Sequence, residues 1–294
     1  MNIIEAQKLV RYYSGVRGVS KLDLTVPQGS VMGLLGTNGS GKTTAIKLIL
    51  GQLVPNEGAV TLWGEDPLDL KPERRSRIAY VADEVELPGW MKLQEGMTLY
   101  ASYYPQWDAA EADALIKRFD LRMDRPFGTL SKGQKRRFFL MLAVAQQPEL
   151  LILDEPAGGL DAVVRRSFLD LLMELRNKRE VTMLISSHIL SDVERVIDRV
   201  AFVNEGRTTL EDDLDLIKER VKRICVSKDK DASLMLERFS IESQHDIAGV
   251  TQFNVTDFSP DKMDGIDGTV EHLNLEEIFL AYNGDEALEA GQQL

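Results

Sequence analysis

The hydrophobic pattern changes period along the chain, and the changes mark its elements. Residues 1–30 alternate apolar and polar positions in short stretches ending at Pro27-Gln28-Gly29, which predicts antiparallel strands and a turn. Val31–Gly36 (VMGLLG) is instead an unbroken apolar run, as in a strand buried on both faces, and it passes through a glycine-rich loop into a helix starting near Lys42. Further strands are predicted at residues 59–64 (AVTLWG), 78–82 (IAYVA), 150–156 (LLILDEP), 181–187 (VTMLISS) and 199–206 (RVAFVNEG). Residues 91–147 are mostly helical in pattern. Strands alternating with helices predict a parallel α/β core carrying the helical stretch as an inserted lobe, at about residues 85–147. From Glu211 to Glu219 the chain turns charged and helical, and VKRICVS and TQFNVTDFS then read as strands of a small α+β unit. These readings divide the chain into residues 1–212 and 213–294.

Charge sharpens that division. The 294 residues carry 35 Lys+Arg against 47 Asp+Glu, a net charge of −12. Residues 1–211 hold 28 acidic and 27 basic side chains, whereas residues 212–294 hold 19 and 8, so the acidity belongs to the C-terminal part. Such a chain does not bind by neutralising many phosphates, and no nucleic-acid partner is expected. The single cysteine, Cys225, has no intrachain partner, and the N-terminus MNIIEAQKLV lacks the pattern of a secretory signal, which points to the cytosol. The longest apolar run, Phe138–Ala145, is far short of the roughly 18 residues that cross a bilayer. Any membrane role must come through a partner.

The strongest chemical signal is Gly36-Thr37-Asn38-Gly39-Ser40-Gly41-Lys42-Thr43-Thr44, which satisfies G-x-x-x-x-G-K-[ST] between a strand and a helix. Its glycines let successive backbone N–H groups turn inward around a polyphosphate, and the helix N-terminus adds partial positive charge. Lys42 is placed to reach the β and γ phosphates of ATP, and the Thr43 hydroxyl to bind Mg²⁺. Later, LLILDEP sets four apolar residues before Asp154 and Glu155. Acids at the end of a buried strand are costly unless they have partners. Asp154 fits an acid that holds Mg²⁺ through water, and Glu155 fits a general base for the attacking water. Between these motifs Ser131 and Gln134 form a capping box, predicting a helix that opens at Ser131.

With the phosphate loop and the acidic strand end in place, LSKGQ at residues 130–134 resembles the signature of the ATP-binding cassette (ABC) ATPases, usually written LSGGQ. The resemblance covers roughly residues 3–210. It implies a P-loop (RecA-like) α/β core with an antiparallel β subdomain and a helical lobe, followed here by the small α+β C-terminal unit. It also implies two cassettes paired head to tail, so that Ser131 and Gly133 bind the ATP held by the partner cassette. Tyr13 resembles the aromatic that stacks on adenine and is favoured over Tyr12 by spacing. Gly159-Leu160-Asp161 resembles the loop through which cassettes meet near the nucleotide, and His188 resembles the switch histidine that meets the γ phosphate and attacking water. Asp83 is a departure, because IAYVADEVE puts it where the family usually has glutamine. An ionised Asp only accepts hydrogen bonds. Either Asp83 still approaches Mg²⁺ or the water, or Asp83 and Glu84 are solvated loop acids.

Other features are assigned no such chemistry. Asn177-Lys178-Arg179-Glu180 resembles a guanine-reading motif but ends in Glu within a charged helix end, and the Lys135-Arg136-Arg137 run is read as the charged face of a helix whose apolar stripe packs the core. His245 and His272 lack acid or thiol partners at ligand spacing. The resemblance thus implies a Mg²⁺-dependent ATPase on the cytoplasmic face of the membrane, serving a separate permease that docks near residues 83–105. SYYPQWD at 102–108 and NLEEIFL at 274–280 resemble features of cassettes that serve exporters. The alternative is a soluble ABC ATPase that remodels DNA or ribosomes, but such relatives usually carry two cassettes or a long coiled coil, and this chain has no sustained heptads.

Overall fold

The computed structural model describes residues 1–13, 16–84, 86–158, 160–178, 181–228 and 232–284. In chain order its strands are β1 (Asn2–Tyr13), β2 (Val16–Pro27), β3 (Val31–Leu35), β4 (Glu57–Leu62), β5 (Ile78–Val81), β6 (Leu150–Leu153), β7 (Thr182–Ser187), β8 (Arg199–Asn204), β9 (Arg207–Asp213), β10 (Lys222–Ser227), β11 (Ile241–Ile247), β12 (Val250–Val255) and β13 (Gly268–His272). The α-helices are α1 (Lys42–Ile49), α2 (Pro72–Arg75), α3 (Leu93–Ala101), α4 (Ala109–Arg118), α5 (Lys132–Ala145), α6 (Ala162–Lys178), α7 (Leu190–Val193), α8 (Leu214–Arg220), α9 (Ser233–Arg238) and α10 (Leu275–Asn283).

The strands form three sheets among the described residues. The central sheet has the order β5-β6-β7-β3-β8-β9, parallel except for the antiparallel edge strand β9. The second is the antiparallel sheet β2-β1-β4, and the third the antiparallel sheet β11-β12-β10-β13.

The central strands read as continuous apolar runs because they are covered on both faces, and their period of two sorts each side chain to one layer. Val31 and Leu35, Leu151 and Leu153, Met183 and Ile185, and Val200 and Phe202 face a core shared with α5 and α6. Met32 and Leu34, Leu150 and Ile152, Leu184, and Ala201 and Val203 face the opposite core, shared with α1 and the β2-β1-β4 sheet. The helices α3, α4 and α5 occupy the stretch expected to be helical.

The single cut expected at residue 213 does not describe the packing. Leu214, Ile217 and Val221 around α8, and Leu273, Leu275, Ile278 and Phe279 around α10, belong to the cassette core that contains Phe202. The Phe279 ring meets the Phe202 ring edge-on at a centroid distance of 5.1 Å. What stands apart is the sheet at residues 222–272, with its own small core of Ile224, Val226, Met235, Phe239, Phe253 and Val255. The C-terminal unit therefore leaves the cassette after α8 and returns to it as α10. The apolar face of α10, which a sequence cannot match to a partner, meets Phe202 of β8 and packs against α7, while α8 packs beside β9.

Candidate nucleotide site

The glycine-rich loop leaves β3 and ends at α1, and its glycines are there for reasons of space and backbone angle. A Cβ on Gly36 would stand 2.2 Å from the Val203 carbonyl oxygen, and one on Gly41 would stand 2.4 Å from the Gly18 carbonyl oxygen. Gly41 caps α1 at a φ of 104°, a conformation that only glycine adopts without strain. Lys42 is buried, and its Nζ donates to the carbonyls of Gly36 at 2.8 Å and Thr37 at 3.0 Å. The loop is wrapped around its own cation.

The two acids follow β6. Asp154 is 1% exposed; Ser186 Oγ donates to its Oδ1 at 2.6 Å, while the Glu155 amide donates to Ser186 Oγ at 2.9 Å. Burial pushes the Asp154 carboxyl above the usual carboxylate range, opposed by hydrogen bonds from Ser186 and Thr43 and by Lys42. Its Oδ2 and the Ser40 hydroxyl are buried without a hydrogen-bond partner. Unsatisfied buried oxygens are costly, and a divalent cation with polyphosphate is a group that fits two hard oxygens beside a helix N-terminus. Asp154 is thus chemically suited to hold Mg²⁺, and the Thr43 hydroxyl, hydrogen-bonded to that carboxylate, stands beside it.

Glu155 has a φ of 48°, in the left-handed region that disfavours non-glycine residues and costs on the order of 1–3 kcal/mol. This bend sends its carboxylate across to β7. Oε2 lies 2.7 Å from His188 Nδ1 and accepts from the His188 amide at 3.3 Å, and Oε1 lies 3.2 Å from Lys42 Nζ. The Oε1–Lys42 contact is an ion pair without hydrogen-bond alignment, so Oε1 retains acceptor capacity. The structure therefore brings Lys42, Thr43, Asp154, Glu155 and His188 together at the C-terminal ends of β3, β6 and β7. Ser186, which the sequence reading passed over as part of the VTMLISS strand, ties the two acids to each other.

The remaining expected residues sit around this cluster. Ser131 caps α5, accepting from the Gln134 amide at 3.2 Å while Gln134 Oε1 accepts from the Ser131 amide at 3.0 Å, as the capping box predicts. Ser131 is exposed and Gly133 half-buried, with Leu160 packed against Gly133. Asp161 caps α6 by accepting from the Val164 amide at 2.9 Å, and Gly159 lies outside the described residues. Tyr13 is 41% exposed, and its ring presses on Gly18, whose carbonyl in turn crowds Gly41 of the loop. Arg11 covers that ring at 5.5 Å.

Asp83 has a partner that the sequence did not indicate. Its Oδ1 accepts from Arg136 Nη2, and Lys132 Nζ stands 3.9 Å away. Arg136 in turn donates through Nη1 to the Glu155 carbonyl. The reading of residues 135–137 as a charged outer face is corrected at Arg136, which is 6% exposed. It lies on the same side of α5 as the buried Leu140 and Ala143, a spacing of four and seven that places it inward.

A phosphate-type loop closed on a lysine, with two acids at the end of a neighbouring parallel strand, defines a nucleoside-triphosphate hydrolase of the P-loop class. Comparison with known proteins narrows the class. Residues 19–158 match the sequence pattern of the ABC transporter family. The chain is 30% identical over 239 residues, 81% of its length and 82% of the relative's, to the ABC transporter ATP-binding protein YtrB of Bacillus subtilis. It is 30% identical to the Nod factor export ATP-binding protein I of Burkholderia thailandensis over 96% of this chain and 97% of that one. It is 33% identical to the zinc uptake system ATP-binding protein ZurA of Listeria monocytogenes over 69% of this chain and 83% of that one. A solved ATP-binding subunit of an ABC transporter superimposes with a TM-score of 0.66 at 30% identity, covering 74% of this chain and 92% of the other. The chain belongs to the ABC transporter family, as an ATP-binding and ATP-hydrolysing transporter subunit.

Proposed function

We propose that this chain is the Mg²⁺-dependent motor of an exporter, working as a pair of cassettes beneath a separate membrane permease. The observation that carries the chemistry is the Glu155 carboxylate, fixed between His188 Nδ1 at 2.7 Å and Lys42 Nζ at 3.2 Å. Backbone N–H groups of Gly36–Thr44 and the Lys42 ammonium take the phosphate chain of ATP. Thr43 and Asp154 hold Mg²⁺, which when bound neutralises charge on the β and γ phosphates. Glu155 accepts the proton of a water that adds to the γ phosphorus while the bond to the β–γ bridging oxygen breaks, giving ADP and phosphate. His188 keeps the Glu155 carboxylate aimed and offers its other ring nitrogen to the γ phosphate. Tyr13 stacks on adenine.

Ser131 and Gly133, at the exposed N-terminus of α5, complete the site of a second cassette, with Asp161 on the adjoining loop. Among the described residues no helix is long and apolar enough to cross a membrane. In this reading the permease is a separate chain, met on the cytoplasmic side. The relative named for export aligns over 96% of this chain, including its C-terminal unit, whereas the match to the zinc uptake relative covers 69%; this supports export. The deciding experiment is Glu155→Gln in the full chain. ATPase activity should fall at least about a hundredfold, and ATP should hold the variant as a dimer on gel filtration. Turnover at the wild-type rate would remove Glu155 as the base.

A further inference from the structure

Arg136 links two motifs that the reaction uses, and nothing in the reaction so far explains it. It lies on α5, the helix that Ser131 opens, and it is 6% exposed. One arm of the guanidinium donates to Asp83 Oδ1 and the other to the Glu155 carbonyl. Both Nη atoms also stand close to Gly158, 3.5 and 3.7 Å from where a Cβ would be. A planar fork holds both acceptors in fixed directions, which a freely rotating ammonium does not.

A buried guanidinium needs a countercharge. Burial pulls the Arg136 pKa down, and Asp83 heads the charges that restore it, ahead of Glu155 and Asp154. Glutamine at position 83 would remove the largest of these countercharges, so the aspartate departure and the buried arginine explain each other. Glu155, meanwhile, is held at both ends of its strained residue: its amide donates to Ser186 Oγ and its carbonyl accepts from Arg136. With both flanking peptide groups fixed, the φ of 48° persists and the carboxylate stays on His188.

We propose that Arg136 is a positioning residue for ATP hydrolysis, locked in place by Asp83, and that it holds the Glu155 backbone in the left-handed conformation that aims the carboxylate at His188. Asp83 then acts through Arg136 and not through the metal. Because Arg136 rides on α5, movement of that helix is transmitted to Glu155. The inference rests on Glu155 being the base.

The test is a double-mutant cycle in the full-length chain with Asp83→Asn, Arg136→Gln and the pair, reading kcat, the KM for ATP, the Mg²⁺ concentration for half activity, and Tm. Each single change is expected to lower kcat about tenfold with KM within about twofold, and the pair to be no slower than Arg136→Gln alone. The Mg²⁺ requirement should stay at its wild-type value throughout. Arg136→Lys, which keeps the charge but not the fork, should fold normally and recover only part of the rate. Effects that multiply in the pair, a shifted Mg²⁺ requirement in Asp83→Asn, or a KM that rises as Tm falls would each overturn the proposal. Adding Arg136→Gln to Glu155→Gln separates the two ideas. No further loss is expected if Arg136 works through Glu155, and an additional tenfold drop would refute that route. Wild-type turnover by Glu155→Gln alone would instead sink the base assignment.

Discussion

The loops at the ends of β3, β6 and β7 and the sheet at residues 222–272 treat polar groups in opposite ways. Around the nucleotide site Ser40, Arg136, Asp154 and Glu155 each bury a side-chain atom that lacks a hydrogen-bond partner, and Glu155 adds a strained backbone. In the C-terminal sheet the buried polar groups are satisfied locally: Thr251 donates to Asp246 at 2.8 Å, and Asn254 donates to Ser243 at 2.9 Å while accepting from Arg223 at 3.2 Å. Its charges pair across partly exposed surface, as in Lys228–Asp246 at 2.9 Å and Arg223–Glu277 at 3.0 Å, where water screens them. Among the described residues, every buried side-chain atom without a partner lies between Arg11 and Arg199. The unmet oxygens of Ser40 and Asp154 are ones that a ligand can compensate, whereas the polar groups of the C-terminal sheet close on one another.

That comparison concerns chemistry, whereas stability divides the chain elsewhere, and the sharpest way to show it is a truncation after Asp213. The cut follows the charge boundary but strips Leu214, Ile217, Val221, Leu273, Leu275, Ile278 and Phe279 from the cassette core. Loss of several large buried side chains exceeds the roughly 5–15 kcal/mol of a typical domain. The truncated chain should be insoluble or lack a cooperative thermal transition. A soluble product with wild-type Tm and ATPase would show that α8 and α10 are ornaments of the cassette.

Phe279→Ala asks the same question at one position. The ring is 1% exposed and packs on Phe202, which sits one residue before the Val203 carbonyl that crowds Gly36. A loss of about 3–5 kcal/mol in chemical denaturation is expected. A loss below about 1 kcal/mol would mean that the helix is held by something other than its core face.

Lys42→Ala probes the other side of the comparison. ATP affinity should drop at least about a hundredfold, roughly 2.7 kcal/mol, as measured by calorimetry. The loss of stability, read from Tm, should be smaller than that, because relief of the cation's own burial partly offsets the broken Glu155 ion pair and the two freed carbonyls. Equal losses of binding and stability would mean that the loop lysine is a structural group.

The same contrast explains what the sequence showed and what it hid. β3, β6 and β7 are runs of apolar residues buried on both faces, and the phosphate loop and the acids sit at their ends, so fold and motifs were legible together. β9 (RTTLEDD), half-buried beside β2, and β11 (IESQHDI) and β13 (GTVEH), on exposed edges, carry mostly polar residues, and nothing in their pattern distinguishes them from loops. Arg136 was hidden because its countercharge is 53 positions away at Asp83. The landing place of α10 was hidden likewise, since an amphipathic helix announces an apolar face but not its partner.

The smallest expected effect comes from removing the C-terminal sheet while keeping its two anchoring helices. Lys222 on β10 and His272 on β13 are direct partners in an antiparallel register, so the chain enters and leaves the sheet side by side. Replacing residues 223–271 by a short Asn-Gly turn should therefore rejoin α8 to α10 without moving either. The small core of Ile224, Val226, Met235, Phe239, Phe253 and Val255 goes as a unit, and Leu214, Ile217 and Phe279 stay where they are. One complication is Lys222 itself, whose Nζ donates to the Lys218 carbonyl at 2.6 Å and faces His272 Nδ1 at 2.7 Å; keeping both residues preserves that contact. The shortened protein should show an ATPase rate within about twofold of the full chain and a Tm change corresponding to less than about 1 kcal/mol. A large loss of hydrolysis with the cassette still folded would show that the C-terminal sheet acts on the nucleotide site through α10, which packs against α7 just beyond His188.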